Sequence, residues 1–234
     1  METFSLSNRP LTLAGLANTS HAIAECQEDI VVALHGWQDN AASFIPLMNE
    51  WGARLPVYAF DWPGHGQSQW RSADAHYYFI DYVEDLTKIV SQLQAKRIHL
   101  IGHSMGAMVA SLFVACTDIE IASLTLIEGI GLVSAAPEDA KELLQRALKQ
   151  RVRASKVRTY DSEQDIIARR IAVSDFDDNI ASVLMARNIK ACDKGYTLST
   201  DPRIKHYSAF RYDNHQAHAL LSDISVPTLF IKGD

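Results

Sequence analysis

The sequence predicts an α/β fold with a mostly parallel central sheet. Three observations carry that expectation. Short, continuous apolar runs recur through the first half of the chain and once more near its end; strands buried on both faces of a parallel sheet read this way. Stretches of helical length, amphipathic or wholly apolar, lie between them. Each run stops at glycine or a polar residue, and strand alternates with helix in sequence, which is the α/β signature.

The elements follow in order. Residues 3–25 alternate weakly and predict an antiparallel hairpin. Ile30-Val-Val-Ala-Leu34, ending at His35-Gly36, is the third strand, and Pro56-Val-Tyr-Ala-Phe60, ending at Asp61, the fourth. Phe79, Tyr82, Val83, Leu86, Ile89, Val90 and Leu93 keep the i, i+3, i+4, i+7 spacing of one helical stripe. Arg97-Ile-His-Leu-Ile101 is the next strand, ending at Gly102. Residues 104–116 are apolar nearly all round and predict a buried helix. Ser123-Leu-Thr-Leu-Ile127, ending at Glu128-Gly129, is the sixth strand. Near Leu132 the pattern changes. From Pro137 to His218 no strand-like run is read. Pro137-Glu-Asp opens a helix with Leu143, Leu144, Ala147 and Leu148 on one side. Ser162-Glu-Gln-Asp165 reads as a capping box, and Asp177-Asp-Asn179 precedes a helix through Arg187. The strand pattern resumes at Val226-Pro-Thr-Leu-Phe-Ile231. The expected organisation is therefore a core over residues 1–131, an all-helical cap over 132–218, and the core resumed over 219–234.

Composition narrows the function classes. At 234 residues the chain is long enough to bury a sizeable core without disulfide or metal staples. Lys plus Arg number 22 against 28 acidic residues, a net charge of −6, so nucleic acid is not an expected partner. The one dense cationic stretch, residues 149–158, reads as a solvated helix face. Cys26, Cys116 and Cys192 are far apart and odd in number. They suggest neither a disulfide framework nor a Cys-x-x-Cys metal pair, and fit a reducing, cytoplasmic compartment. The N-terminus has no basic segment followed by an apolar one, so no secretory signal is read. The longest apolar run, residues 119–133, is broken by Glu120, Glu128, Gly129 and Gly131, so no membrane span is expected.

Chemistry concentrates at three junctions. Gly102-His-Ser-Met-Gly106 follows a predicted strand and opens a predicted helix, the context in which Gly-x-Ser-x-Gly holds a serine on a sharp turn with its hydroxyl clear of the backbone. A side chain at either glycine would collide with the neighbouring strand or helix, and the helix N-terminus favours a developing negative charge. Ser104 is thus the expected nucleophile, with His103 shaping the turn. His35-Gly-Trp-Gln-Asp-Asn40 ends another strand. An oxyanion would be held by backbone N–H groups, Met105 by its position after the nucleophile and Trp37 from this loop; Gly36 and His35 shape the loop, His35 in a structural role. Asp61-Trp-Pro-Gly-His-Gly-Gln-Ser68 is a tight structural loop. His65 is not the expected base, because triad order here runs serine, acid, histidine along the chain.

With these three motifs in this order and spacing, the sequence resembles the α/β-hydrolase superfamily over roughly residues 30–131. His-Gly-Trp with Asp-Asn-Ala-Ala-Ser-Phe44, Leu126-Ile-Glu-Gly129 and Asp201-Pro-Arg203 resemble its serine hydrolase-like (Kraken-type) branch. The resemblance implies an eight-stranded, mostly parallel sheet with a lid inserted after the sixth strand. It also implies a serine hydrolase that cleaves a carboxylic ester, or a thioester, of a small apolar acid through an acyl-enzyme on Ser104, with no metal or organic cofactor. Trp37 and the lid would shape an apolar pocket. The family's histidine lies after the eighth strand, and no residue here matches it; the chain reads as truncated after the seventh strand. His206, His215 and His218 read as surface or hinge residues. The acid is Glu128 or Asp234, or a residue beyond. The alternative expectation is a catalytically incomplete member of this fold that binds a small molecule or protein without turnover.

Overall fold

The computed structural model describes residues 1–153, 157–174 and 176–233. Its main sheet has seven strands: β1 (Glu2–Asn8), β2 (Leu11–Ala17), β3 (Asp29–Leu34), β4 (Val57–Phe60), β5 (Arg97–His103), β6 (Ser123–Ile127) and β10 (Thr228–Ile231), in the order β1-β2-β4-β3-β5-β6-β10. The expected N-terminal hairpin is β1–β2, and β2 pairs antiparallel with β4; every other neighbour pair is parallel. Three helices cross between strands, α1 (Ile45–Trp51), α2 (Phe79–Val90) and α3 (Met105–Cys116).

The continuous apolar runs arise because both faces of the sheet are covered. Ile30, Val32 and Leu34 of β3, with Tyr58 and Phe60 of β4, pack with α2 and α3. Their alternate neighbours Val31, Ala33, Val57 and Ala59 pack with Phe44 and Met48 on the opposite face. The two-residue period of a strand thus feeds two cores at once. In α3, Val109, Ala110, Leu112 and Phe113 are all buried, and Ser111, also buried, returns its hydroxyl to Ala107 O at 2.8 Å. This is how a helix apolar on every side is satisfied.

The segment between β6 and β10 differs from the expectation of an all-helical insertion. It contains helices α4 (Ala140–Arg151), α5 (Glu163–Ile171), α6 (Asp178–Ala186) and α7 (Asn214–Leu221), but also a three-stranded antiparallel sheet, β7 (Thr159–Tyr160), β8 (Ile189–Cys192) and β9 (Gly195–Leu198), in the order β7-β9-β8. These strands are two to four residues long and partly exposed, so they lack the apolar run that marks the main sheet. Their turn at Asp193-Lys194 closes at Gly195, whose φ of 108° suits glycine. Helix starts follow their sequence signals more closely: Ser162 accepts from Asp165 N–H, one half of the expected capping box, and Asp177 accepts from the N–H groups of Asn179 and Ile180.

The insert is tied to the core through buried and half-buried polar groups. Arg203 donates to the carbonyls of Arg71, Ser72 and Ala75 and pairs with Asp201, which also accepts from Tyr77 Oη at 2.8 Å. Trp70 Nε1 donates to Ser199 O at 2.7 Å. The Asp201-Pro-Arg203 element is therefore a clamp between insert and core. β10 pairs with β6 along one edge, with Leu229, Phe230 and Ile231 exposed.

Candidate active site

The C-terminal ends of β3, β4, β5 and β6 converge on one side of the sheet, and the sequence-predicted residues gather there. Ser104 stands between β5 and α3 with φ 49° and ψ −116°, a conformation that L-residues avoid. Its N–H donates to Ile127 O at 2.8 Å, and its carbonyl accepts from Met108 N–H at 3.0 Å. The flanking glycines are required by contact. A Cβ on Gly106 would stand 2.0 Å from Leu34 O, and one on Gly102 would stand 2.5 Å from Ala107 Cα. Gly129 is under the same constraint, since its Cβ would lie 2.5 Å from Ser104 O.

The loop after β3 passes directly beside this turn. A Cβ on Gly36 would stand 3.2 Å from Ser104 Cβ and 3.1 Å from His103 Nδ1. Among the described residues, neither the Trp37 nor the Met105 backbone N–H meets an acceptor. The Trp37 indole turns outward, half exposed, and donates to Ile204 O at 3.2 Å. It is not among the residues lining the apolar cavity next to His103. An indole whose N–H has found a carbonyl on the insert is held away from it.

His35 is fully buried. It accepts the Trp62 N–H at Nε2 (3.1 Å), so its proton sits on Nδ1 and goes to Gly36 O at 2.7 Å. Burial above all, then the charges of His103 and Arg187, lowers its pKa to about 3. His65, likewise buried, bonds Pro63 O through Nδ1 at 3.1 Å and is also pushed down to about 3 by burial and by His35. Both are neutral structural imidazoles that stiffen adjacent loops, and neither hydrogen-bonds to Ser104. His206 follows the Pro202–Lys205 turn near Arg151, Asp201 and Arg203, while His215 and His218 lie on exposed positions of α7. Glu128 ends β6 with φ 52°; its N–H donates to Ile231 O at 2.9 Å, and its Oε1 accepts the Gly233 N–H. It therefore stands next to the serine turn, at the junction of β6 and β10. Asp234 lies outside the described residues.

Three features escaped the sequence reading. The Asp61 carboxylate, fully buried, accepts from Ala41 N–H (2.7 Å), Gln67 N–H (2.9 Å) and Arg187 Nε (2.9 Å). One side chain thus joins the loops after β3 and β4 to the end of α6. Asn40 adds a second tie, donating to Leu184 O at 2.9 Å. Nothing in the sequence pairs Asp61 with a residue 126 positions away. Asp39 is the third feature. Its carboxyl is held above the usual range chiefly by burial, against the lowering pull of Ser43, Arg170 and His103. It lies on the wall of a cavity of about 540 Å³ whose other walls include Phe44, Leu47, Ile127, Ile180 and Val183. His103 also lines it, placing the cavity beside Ser104. Its size suits a small ligand.

The comparisons with known proteins agree with this geometry. The alpha/beta hydrolase fold family model matches residues 29–234. The chain is 29% identical over 213 residues to a serine hydrolase-like protein of Danio rerio, covering 86% of this chain and 64% of that protein. It is 29% identical over 215 residues to one of Dictyostelium discoideum, covering 87% and 59%. The chain thus spans about six-tenths of the length of these curated relatives. A hypothetical protein from Pseudomonas aeruginosa PAO1 superposes with a TM-score of 0.87 at 29% identity, over 98% of this chain and 80% of that one. Serine turn, backbone donors, sheet order and relatives coincide: the chain belongs to the α/β-hydrolase fold family, within its serine hydrolase-like branch.

Proposed function

We propose that the chain is a serine hydrolase acting on a carboxylic ester, or a thioester, of a small apolar acid. In this reading Ser104 Oγ attacks the acyl carbon, and the oxyanion is taken up by the N–H groups of Trp37 and Met105. A histidine accepts the serine proton and returns it to the leaving alcohol or thiol, and water then hydrolyses the acyl-enzyme. Glu128 orients that histidine. The acyl chain occupies the cavity below α6, and the insert acts as a cap, core and cap dividing near residues 131 and 218. The observation that carries the reading is the strained Ser104 turn with two unengaged backbone donors beside it. Strain of this kind persists where surrounding structure holds it for a purpose.

The test is active-site labelling. A fluorophosphonate probe should add once to the protein, at Ser104, and Ser104→Ala should abolish the adduct; labelling that survives the substitution refutes the assignment. A second reading, a binder without turnover, is favoured by the engagement of His35 and His65 in loop hydrogen bonds rather than with Ser104. It requires that short-chain aryl esters bind without Ser104-dependent hydrolysis. Glu128→Gln separates the roles. If Glu128 orients the base, kcat should fall severely with KM nearly unchanged; an unchanged rate removes Glu128 from the machinery.

A further inference from the structure

At the opposite end of the sheet from Ser104, the loop joining β2 to β3 gathers three side chains of different chemistry. An imidazole nitrogen of His21, the thiol of Cys26 and a carboxylate oxygen of Glu28 all lie within 4.8 Å of one another. The short 3-10 turn Ile23–Glu25 folds the chain back between the first and second of them. Cys26 is buried and forms no disulfide, while His21 and Glu28 are exposed. The loop is pinned from beneath: the hydroxyl of the buried Tyr58 donates to His21 O at 3.0 Å and lies against the Cys26 sulfur. Glu28 is held at its backbone, where its carbonyl accepts the Lys96 N–H at 3.0 Å.

We infer that His21, Cys26 and Glu28 form a zinc-binding site with a fourth position open to water. The donor set selects the metal. A thiolate and an imidazole are ligands for a borderline-soft ion and poor ones for calcium or magnesium, which take oxygen. Zn–N, Zn–O and Zn–S bonds of about 2.0–2.3 Å put tetrahedral ligand atoms roughly 3.3–3.8 Å apart. The exposed His21 and Glu28 side chains need swing inward by only about 1 Å to reach that spacing. One thiolate, one carboxylate and a neutral imidazole balance the dication. Binding releases the Cys26 S–H proton to solvent, and the sulfur lone pair forms the bond to the metal. Sequence spacing alone does not reveal the site, because His-x4-Cys-x-Glu matches none of the common zinc patterns.

The site lies away from the serine turn. Asp29, next to Glu28, is level with Arg97 in the sheet, while Leu34 is level with Gly102 at the serine turn. Five residues of strand separate the two ends, roughly 17 Å. Metal here would fasten the β2–β3 loop to the start of β3 and would stabilise the fold by binding the native chain alone.

Cobalt titration tests this without reference to hydrolysis. The metal-free protein should carry Cys116→Ser and Cys192→Ser, since both of those thiols are exposed. It should take up one Co²⁺ with the near-ultraviolet thiolate-to-cobalt charge-transfer band of a tetrahedral site, and Zn²⁺ should displace it. His21→Ala and Glu28→Gln change exposed side chains and keep the fold; each should weaken uptake at least about tenfold. Cys26→Ala should remove the band entirely. Fluorophosphonate labelling of Ser104 should be the same with and without metal. Absence of the band in the parent protein overturns the site, as does a band that persists at full strength in His21→Ala or Glu28→Gln.

Discussion

Ser104 is held in a conformation that costs on the order of 1–3 kcal/mol for a residue with a Cβ. Glycine escapes that cost. Ser104→Gly and Ser104→Ala both remove the hydroxyl, but only the glycine variant relieves the backbone. The glycine protein should therefore be more stable than the alanine protein by about 1 kcal/mol, measured by urea denaturation. Equal stabilities would show that the turn is unstrained. Gly106 makes the converse case. Its Cβ would meet a backbone carbonyl at 2.0 Å rather than a side chain that could rotate away, so Gly106→Ala should lose about 3 kcal/mol or more. Both residues could be read from the sequence, because Gly-x-Ser-x-Gly is a local pattern whose geometry follows from the strand before it and the helix after it. Arg187 and Asp61 could not. Their meeting depends on how the insert docks, which no spacing records.

The insert shows the same boundary between local and non-local information. The starts of α5 and α6 were readable from Ser162 and Asp177, whose side chains cap N–H groups two or three residues on. β8 and β9 were not, because four-residue strands that mix polar and apolar residues leave no apolar run. Docking of α6 is held by Asn40 and by the Arg187–Asp61 pair, in which the two side chains are 6% and 0% exposed. Breaking a pair this buried leaves an uncompensated charge, so Arg187→Ala should cost roughly 3–5 kcal/mol. The double variant Arg187→Ala with Asp61→Asn should recover a large part of that loss, because no bare charge remains. A double-mutant cycle by urea denaturation checks both expectations, and additive losses would mean the pair is not coupled. The cavity-facing residues of α6 allow a sharper test of the substrate class. Val183→Trp adds bulk at the cavity wall. It should lower kcat/KM for aryl octanoates relative to aryl acetates by at least about tenfold. A ratio that stays constant would place the acyl chain elsewhere.

The stability of the whole molecule should depend on pH through its buried imidazoles. His35 and His65 have pKa values lowered from 6.5 to about 3, first by burial. The unfolded chain binds a proton at each near pH 6.5, whereas the folded chain stays neutral down to about pH 3. Stability from these two groups is therefore full above pH 6.5 and is lost as pH falls through that window, by at most about 1.4 kcal/mol per pH unit for each. Asp85 works the other way. Burial, opposed by Arg71, pushes its carboxyl up to about 6. Between there and its ordinary value of 3.8 the folded state holds a proton that the unfolded state lacks, so it gains stability as pH falls; Asp39 acts in the same direction. Unfolding should take up about one proton at pH 6.5, where each unfolded histidine is half protonated, and one or fewer below pH 6, where Asp85 and Asp39 offset the fuller protonation of both. His65→Asn isolates one imidazole. Its amide can stand where Nδ1 stood and keep the bond to Pro63 O, but it carries no titratable proton. Urea denaturation at pH about 7, 6 and 5 should show the wild type losing its advantage over the variant by up to about 1.4 kcal/mol for each pH unit below 6.5. Parallel curves would mean that His65 is not held neutral in the fold, and would remove the reason for treating the loops around the serine turn as an uncharged, rigid frame.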